Sequence, residues 1–384
     1  MISALLLAMV FEKIALVDSL DFAEVYDIET ATGNVQVLEH VMRSHPTAIW
    51  WRDKGGGRMR YPSKAEGWPI SEFPFDKRLI PEENMYGWLR LDSCGPEVFP
   101  LMADECVRRG LRFGVHTTWE ENHWCVGFMS NWTVAHPEYW CCARDRKPWH
   151  GSCALAYQEV LEHKLELVDE RTALGGDTVF LDMFRVGGWS PSLECVRPNV
   201  ETWKRLYGDE PIPEDGTDLR WLKIVSRSVH GYLRRFSERC HAAGRRFIVG
   251  LPRFEPTDRE IAKRFALNWK ALAKEGVFDG IVVMNIVLDE KDPWGSTQKI
   301  YDHVMENRGT ADVYFPVSMY DFHRSGIPSY VRATKCTPLE VARRLYEMAH
   351  ATGARGVVME CVDYRNYDCV NAALEPALTV KEAK

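Results

Sequence analysis

No apolar run in this chain is followed by a GxGxxG turn or a P-loop, so the glycine-rich phosphate cradles of dinucleotide and nucleotide folds are missing. A doubly wound open sheet loses its main sequence support with them. There is no basic stripe either. The 48 Lys and Arg are interspersed among 55 Asp and Glu for a net charge of -7, so neither nucleic acid nor an anionic membrane is an expected partner. The 11 cysteines contain no CxxC pair and no small-scaffold spacing, which argues for free thiols in a reducing, cytoplasmic compartment rather than for disulfides. The apolar run 2–11 lacks a basic flank and a small-residue cleavage site and is too short to span a bilayer; it reads as a core strand, with secretion left open.

What the chain does have is ample apolar mass, 46% against 27% charged residues, and many aromatics, with 14 Trp, 14 Tyr and 16 Phe. Tryptophans crowd into segments that read as loops: Trp119, Trp124, Trp132, Trp140, Trp149 and Trp189. Flat rings stack on sugar faces, and equally pack loops together. Cys125, Cys141, Cys142 and Cys153, with His123, His136 and His150 nearby, raise a structural zinc reading that the spacings do not favour.

Short apolar runs alternate with amphipathic stretches along nearly the whole chain. Strands are predicted at 11–17 or 22–26, then 47–52, 111–117, 177–182, 246–251, 278–287, 313–319 and 356–361. Helices are predicted at 34–43, 97–109, 155–173, 219–243, 258–275 and 338–352. Loops after strands are long and aromatic, whereas the turns before strands are short and built on Gly110, Gly175-Gly176, Gly244, Gly276 and Gly353. That asymmetry fits a single-domain (β/α)8 TIM barrel over residues 1–384, with one functional rim and one structural rim.

Strand ends in such a barrel converge on one mouth. The most informative end is Asp177 to Arg185, where an apolar run closes in Asp182 with Arg185 three residues on. The other strand ends offer Arg52, Asp53, His116, Trp119, Glu121, Asn122, Glu255, Asn285, Asp289, Tyr320, Asp321, His323 and Glu360. A carboxylate-rich mouth suits glycoside hydrolysis, in which one carboxyl protonates the leaving oxygen and another attacks carbon or activates water. Asp182 is expected as nucleophile or base, kept ionised by Arg185. Glu255, between Phe254 and Pro256, is expected as the acid, because an apolar setting raises a carboxyl pKa. Trp119, Trp124, Trp189 and Tyr320 would form sugar-stacking walls; Glu121, Asp321 and Glu360 would bind hydroxyls, as would His116, Asn122, Asn285 and His323.

No cofactor is required by this scheme, the partner is a carbohydrate, and a homo-oligomer stays open. The rivals are a glycan-binding barrel without turnover and a metal-dependent barrel hydrolase or lyase. His116 with His123, or Asp321 with His323, offers metal ligands, yet neither candidate first strand contains the histidine pair that such hydrolases place there.

Several segments resemble the glycosyl-hydrolase-like family 10 proteins, barrel enzymes related to alpha-amylase-type glycosidases. They are Gly110 to Trp119 as its third strand, His136-Pro137-Glu138-Tyr139-Trp140 as a reactant-side loop, Asp177 to Arg185 as its fourth strand, and Asn268 to Ile281 as a helix and sixth strand. The resemblance covers residues 111–364 and implies a barrel that cleaves glycans, peptidoglycan-type chains among them, with Asp182 and Arg185 in the family's Asp and Arg positions. Two departures touch substrate contacts: Val186-Gly187 stands where the family has Tyr-Pro, and Met284-Asn285 where it has Pro-Gln.

Overall fold

The computed structural model describes residues 11–22, 25–28, 30–55, 58–66, 98–119, 130–145, 147–183, 189–252, 254–255, 257–284, 286, 288–317 and 330–360. In chain order the elements are β1 (Glu12–Val17), α1 (Ala31–Met42), β2 (Ala48–Arg52), the hairpin β3 (Lys54–Gly55) and β4 (Arg58–Met59), α2 (Val98–Arg108) and β5 (Arg112–Thr118). They continue with α3 (Asn131–Ala135), a second hairpin of β6 (Trp140–Cys142) and β7 (Pro148–Cys153), α4 (Gln158–Ala173), β8 (Thr178–Asp182), α5 (Arg197–Tyr207) and α6 (Leu219–Ala242). The last third holds β9 (Arg246–Leu251), α7 (Arg259–Phe265), α8 (Trp269–Lys274), β10 (Gly280–Val283), α9 (Pro293–Asn307), β11 (Asp312–Pro316), α10 (Tyr330–Thr334), α11 (Pro338–Ala351) and β12 (Gly356–Glu360).

Strands β1, β2, β5, β8, β9, β10, β11 and β12 close into a parallel barrel in that order, with β12 returning to β1 through Glu12↔Gly356. The (β/α)8 architecture read from the sequence is therefore present, and β1 takes the first of its two candidate positions. Several stretches differ, among them helix α5 and the hairpin β6–β7, which form where loops were expected. The helix expected at 258–275 is split into α7 and α8 because Ala266 adopts φ 47°, after which the Asn268 side chain accepts the Ala271 N–H and starts a new helix. Helix α9 was not anticipated, although Asp292-Pro293 is an N-cap followed by proline at the first helical position, and the Asp292 carboxylate accepts the Gly295 N–H at 3.0 Å.

Strand alternation sorts side chains into two layers. Ile14, Leu16, Ala48, Trp50, Phe180, Ile248, Val282, Met284, Tyr314 and Val358 face inward and form one buried cluster. Their sequence neighbours, such as Ala15, Val17, Ile49 and Trp51, face outward to the helices. Trp50 and Phe180 stack inside with centroids 4.9 Å apart, which requires small residues opposite. A Cβ at Gly114 would lie 2.4 Å from the Trp50 ring, and one at Gly250 2.7 Å from the Phe180 ring. At the closed end the helix-to-strand turns need left-handed backbone, as at Gly244, φ 67°, and Gly276, φ 76°, which glycine supplies without steric cost.

The amino-terminal end of the barrel is sealed by charge. Glu12, 3% exposed, accepts from Arg112 Nη1 and Arg355 Nε at 2.8 Å each and from the Tyr314 hydroxyl at 3.0 Å. Arg112 also meets Asp177 at 2.5 Å, and Arg246 meets Asp312 at 2.7 Å. A satisfied network at this face is a stability feature.

Candidate active site

The opposite rim is where strands β1, β2, β5 and β8 end side by side, and their inward positions bring polar groups together. Asp182 closes β8 at 1% exposure. His116 of β5, 5% exposed, lies in register with Arg52 and Phe180, and its Nε2 is 3.6 Å from Asp182 Oδ2. Thr118, in register with Asp182, has a buried hydroxyl with no hydrogen-bond partner among the described residues. Asp18, the residue after β1, is clasped by two guanidiniums. Arg52 Nη1 bonds its Oδ2, and Arg60 Nη2 bonds its Oδ1 at 2.9 Å, while Arg60 Nη1 donates to Ser19 Oγ at 3.1 Å. Two buried cations on one carboxylate hold it ionised.

Sequence reasoning brought Asp182 and His116 to the same place but missed Asp18 and Arg60. For Asp18 a signal existed, because Ala15-Leu16-Val17-Asp18 repeats the apolar-run-then-carboxylate pattern that singles out Asp182. Arg60 carries no such mark, since it reaches back from beyond β4 to a partner 42 positions earlier.

The structure assigns other duties to several expected site residues. Trp119 and Trp189 are each 4% exposed and pack on one another at 6.2 Å, with the Trp119 ring edge-on to Tyr232 of α6 at 5.4 Å. Trp189 Nε1 donates to the buried Glu194 carboxylate at 2.8 Å. Their faces are thus taken up by the helix layer, because position 119 falls on the outward phase of its strand, and they are not free sugar-stacking walls. Asp53 likewise turns outward to Arg171 of α4 at 2.5 Å. Glu255 is half-buried, and its Oε1 accepts from Thr257 Oγ1 at 2.7 Å and from Glu260 N at 3.1 Å, so its carboxylate ties down the start of α7. Glu360 ends β12 in register with Leu16. Arg185, Glu121, Asn122, Trp124, Asn285, Tyr320, Asp321 and His323 lie outside the described residues.

Among the described residues no group of three or more His, Cys, Asp or Glu side chains is placed to hold a metal ion. Cys141 and Cys153, from the zinc reading, are buried thiols pushed up by burial, Cys153 to about 12; Cys125 and His123 lie outside the described residues. The seven cysteines among the described residues are all unbridged. No helix among the described residues is long and apolar enough to cross a membrane.

No family model matches the chain, and no curated protein matches it. The likeness to glycosyl-hydrolase-like family 10 therefore rests on the quoted segments alone. Solved structures do share its fold. The chain is similar to the PgaB (BpsB) glycoside hydrolase domain from Bordetella bronchiseptica, at 11% identity and a TM-score of 0.58, over 95% of this chain and 99% of that one. It is similar to the catalytic domain of beta-amylase from Paenibacillus polymyxa, at 9% identity and a TM-score of 0.58, over 96% and 98%. A catalytic module of the pneumococcal exo-beta-D-N-acetylglucosaminidase matches at 9% identity and a TM-score of 0.53, over 96% of this chain and 85% of that one. At these identities the likeness speaks for the fold.

Proposed function

We propose that this barrel hydrolyses glycosidic bonds at its carboxy-terminal mouth. The observation that carries the reading is the buried approach of His116 to Asp182 at the end of β8, where Asp182 is in register with Thr118, whose hydroxyl has no hydrogen-bond partner among the described residues. The solved glycosidases that share the barrel support the reaction class.

In this mechanism Asp182 attacks the anomeric carbon or takes a proton from water, with His116 Nε2 3.6 Å from its carboxylate. Thr118 offers a hydroxyl to the sugar. Asp18, fixed as an anion by Arg52 and Arg60, adds negative charge beside a positive transition state and does not donate the proton. Glu255 acts as a helix cap, and Glu360, whose position at the end of β12 is in register with Leu16, is the candidate for the second carboxyl group. The finer resemblance, to glycosyl-hydrolase-like family 10, belongs to the same proposal.

The test is release of reducing ends from a panel of oligosaccharides. Asp182→Asn is expected to keep the fold and lower turnover roughly a thousand-fold or more. Glu360→Gln should behave similarly, whereas Glu255→Gln, which can still accept from Glu260 N, should retain most activity. Full activity in Asp182→Asn removes this carboxyl from the chemistry.

A further inference from the structure

Outside the mouth, a groove of about 520 Å³ lies between α6 and the broken helix α7–α8. One wall is apolar, built from Leu219, Leu222, Ala262, Leu267 and Trp269; Leu219 is 81% exposed, the most exposed of the large apolar side chains described. The polar part of the lining is unbalanced. Lys223, Arg259 and Lys270 contribute three cations against the single carboxylate of Asp258, in a protein whose net charge is -7.

Asp258 is already held through Oδ2 by Lys270 Nζ at 2.6 Å and His303 Nε2 at 2.9 Å, which leaves Lys223 and Arg259 as the surplus. His230, also in the lining, accepts the Asn268 N–H on Nε2 at 3.1 Å, and burial lowers its pKa, so it adds no charge near neutral pH. Two lining groups are unsatisfied: the indole N–H of Trp269, a residue 1% exposed, and Asp258 Oδ1 have no hydrogen-bond partner among the described residues. Buried polar atoms are almost always paired, so two unpaired ones on residues that line a single groove set it apart from the rest of the surface. The backbone is strained at the same place. Asp258 at φ 54° and Ala266 at φ 47° bracket α7, and such non-glycine conformations gather at binding elements.

We propose that this groove binds a small amphipathic anion, a carboxylate on an apolar body of acyl or aryl type. The carboxylate meets Lys223 and Arg259, and the apolar body covers Leu219 and Leu222. The inference does not depend on what the mouth does.

Isothermal titration of the full chain with octanoate, 1-octanol and octylammonium tests it. Octanoate should bind at least about ten-fold more tightly than the other two, as charge complementarity at a rim requires. In Lys223→Glu/Arg259→Glu, two exposed positions whose exchange spares the core, octanoate should lose that advantage while 1-octanol is unchanged. Hydrogen exchange should slow on octanoate addition at 219–230 and 257–270. No binding of octanoate by the unaltered protein, equal binding of all three probes, or octanoate binding indifferent to the double substitution overturns the proposal.

Discussion

Lys54 is a buried cation placed where it costs stability. It is 8% exposed. Burial first, then the Arg171 charge, lowers its pKa from 10.5 to about 7. At about 1.4 kcal/mol for each pH unit, that drop corresponds to about 5 kcal/mol between its two protonation states. Replacement by methionine keeps the stem and removes the ammonium. Part of the penalty is relieved in the native protein by relaxation, so the expected gain for Lys54→Met near neutral pH is on the order of 2–3 kcal/mol, a Tm rise of roughly 3–6 °C.

The sign follows from proton counting. Between about 7 and 10.5 the unfolded chain holds a proton on Lys54 that the folded chain has released, so the unaltered protein gains stability as pH rises through this window. Below about 7 both states are protonated and the full cost is present. The advantage of Lys54→Met should therefore be greatest on the acid side of neutrality and fade toward the alkaline end. Urea unfolding of both proteins at about pH 6, 7, 8.5 and 10 measures it. A variant less stable than the unaltered protein at neutral pH, or a gap that does not move with pH, refutes the reasoning.

Arg171→Met strands the Asp53 carboxylate, which is 0% exposed, and should cost about 3–5 kcal/mol by urea unfolding, with most of it recovered in Asp53→Leu/Arg171→Met. Gly250→Ala forces a Cβ to within 2.7 Å of the Phe180 ring and should lower stability by about 1–3 kcal/mol in the same assay. Glu194 is 2% exposed and burial raises its pKa, so Glu194→Gln should stabilise near neutrality, with the difference closing as pH falls through the raised value toward 4.5. Glu255→Ala should lose stability by about 1 kcal/mol through its cap on α7 while glycan cleavage persists.

The barrel was legible because its strands are short, apolar and punctuated by glycines that the geometry demands. Asp182 was legible because its run ends cleanly in a carboxylate. Asp18 ends its run in the same way, yet the competing stretch 22–26 hid it by offering a second place for the first strand. What the linear pattern could not carry was phase: Trp119 differs from Thr118 by one position, and that step sends its ring to Tyr232 rather than into the mouth. Nor could it carry competition for a carboxylate: the sequence shows Glu255 between Phe254 and Pro256, but not that the N–H of Glu260, five residues on, claims its oxygen.

The same competition separates the two ends of the barrel. At the amino-terminal end Glu12 has a donor for each carboxylate oxygen, so its charge is spent on closure. At the mouth both oxygens of Asp18 are also claimed, by Arg52 and Arg60, while Asp182, 1% exposed at the end of β8, has His116 Nε2 3.6 Å from its Oδ2. A buried carboxylate at a strand end serves catalysis when it meets charge that develops on a substrate, because that interaction is realised only as the transition state forms. If that is its use, His116→Asn should lower kcat far more than it lowers Tm, whereas a bracing role would move the two together.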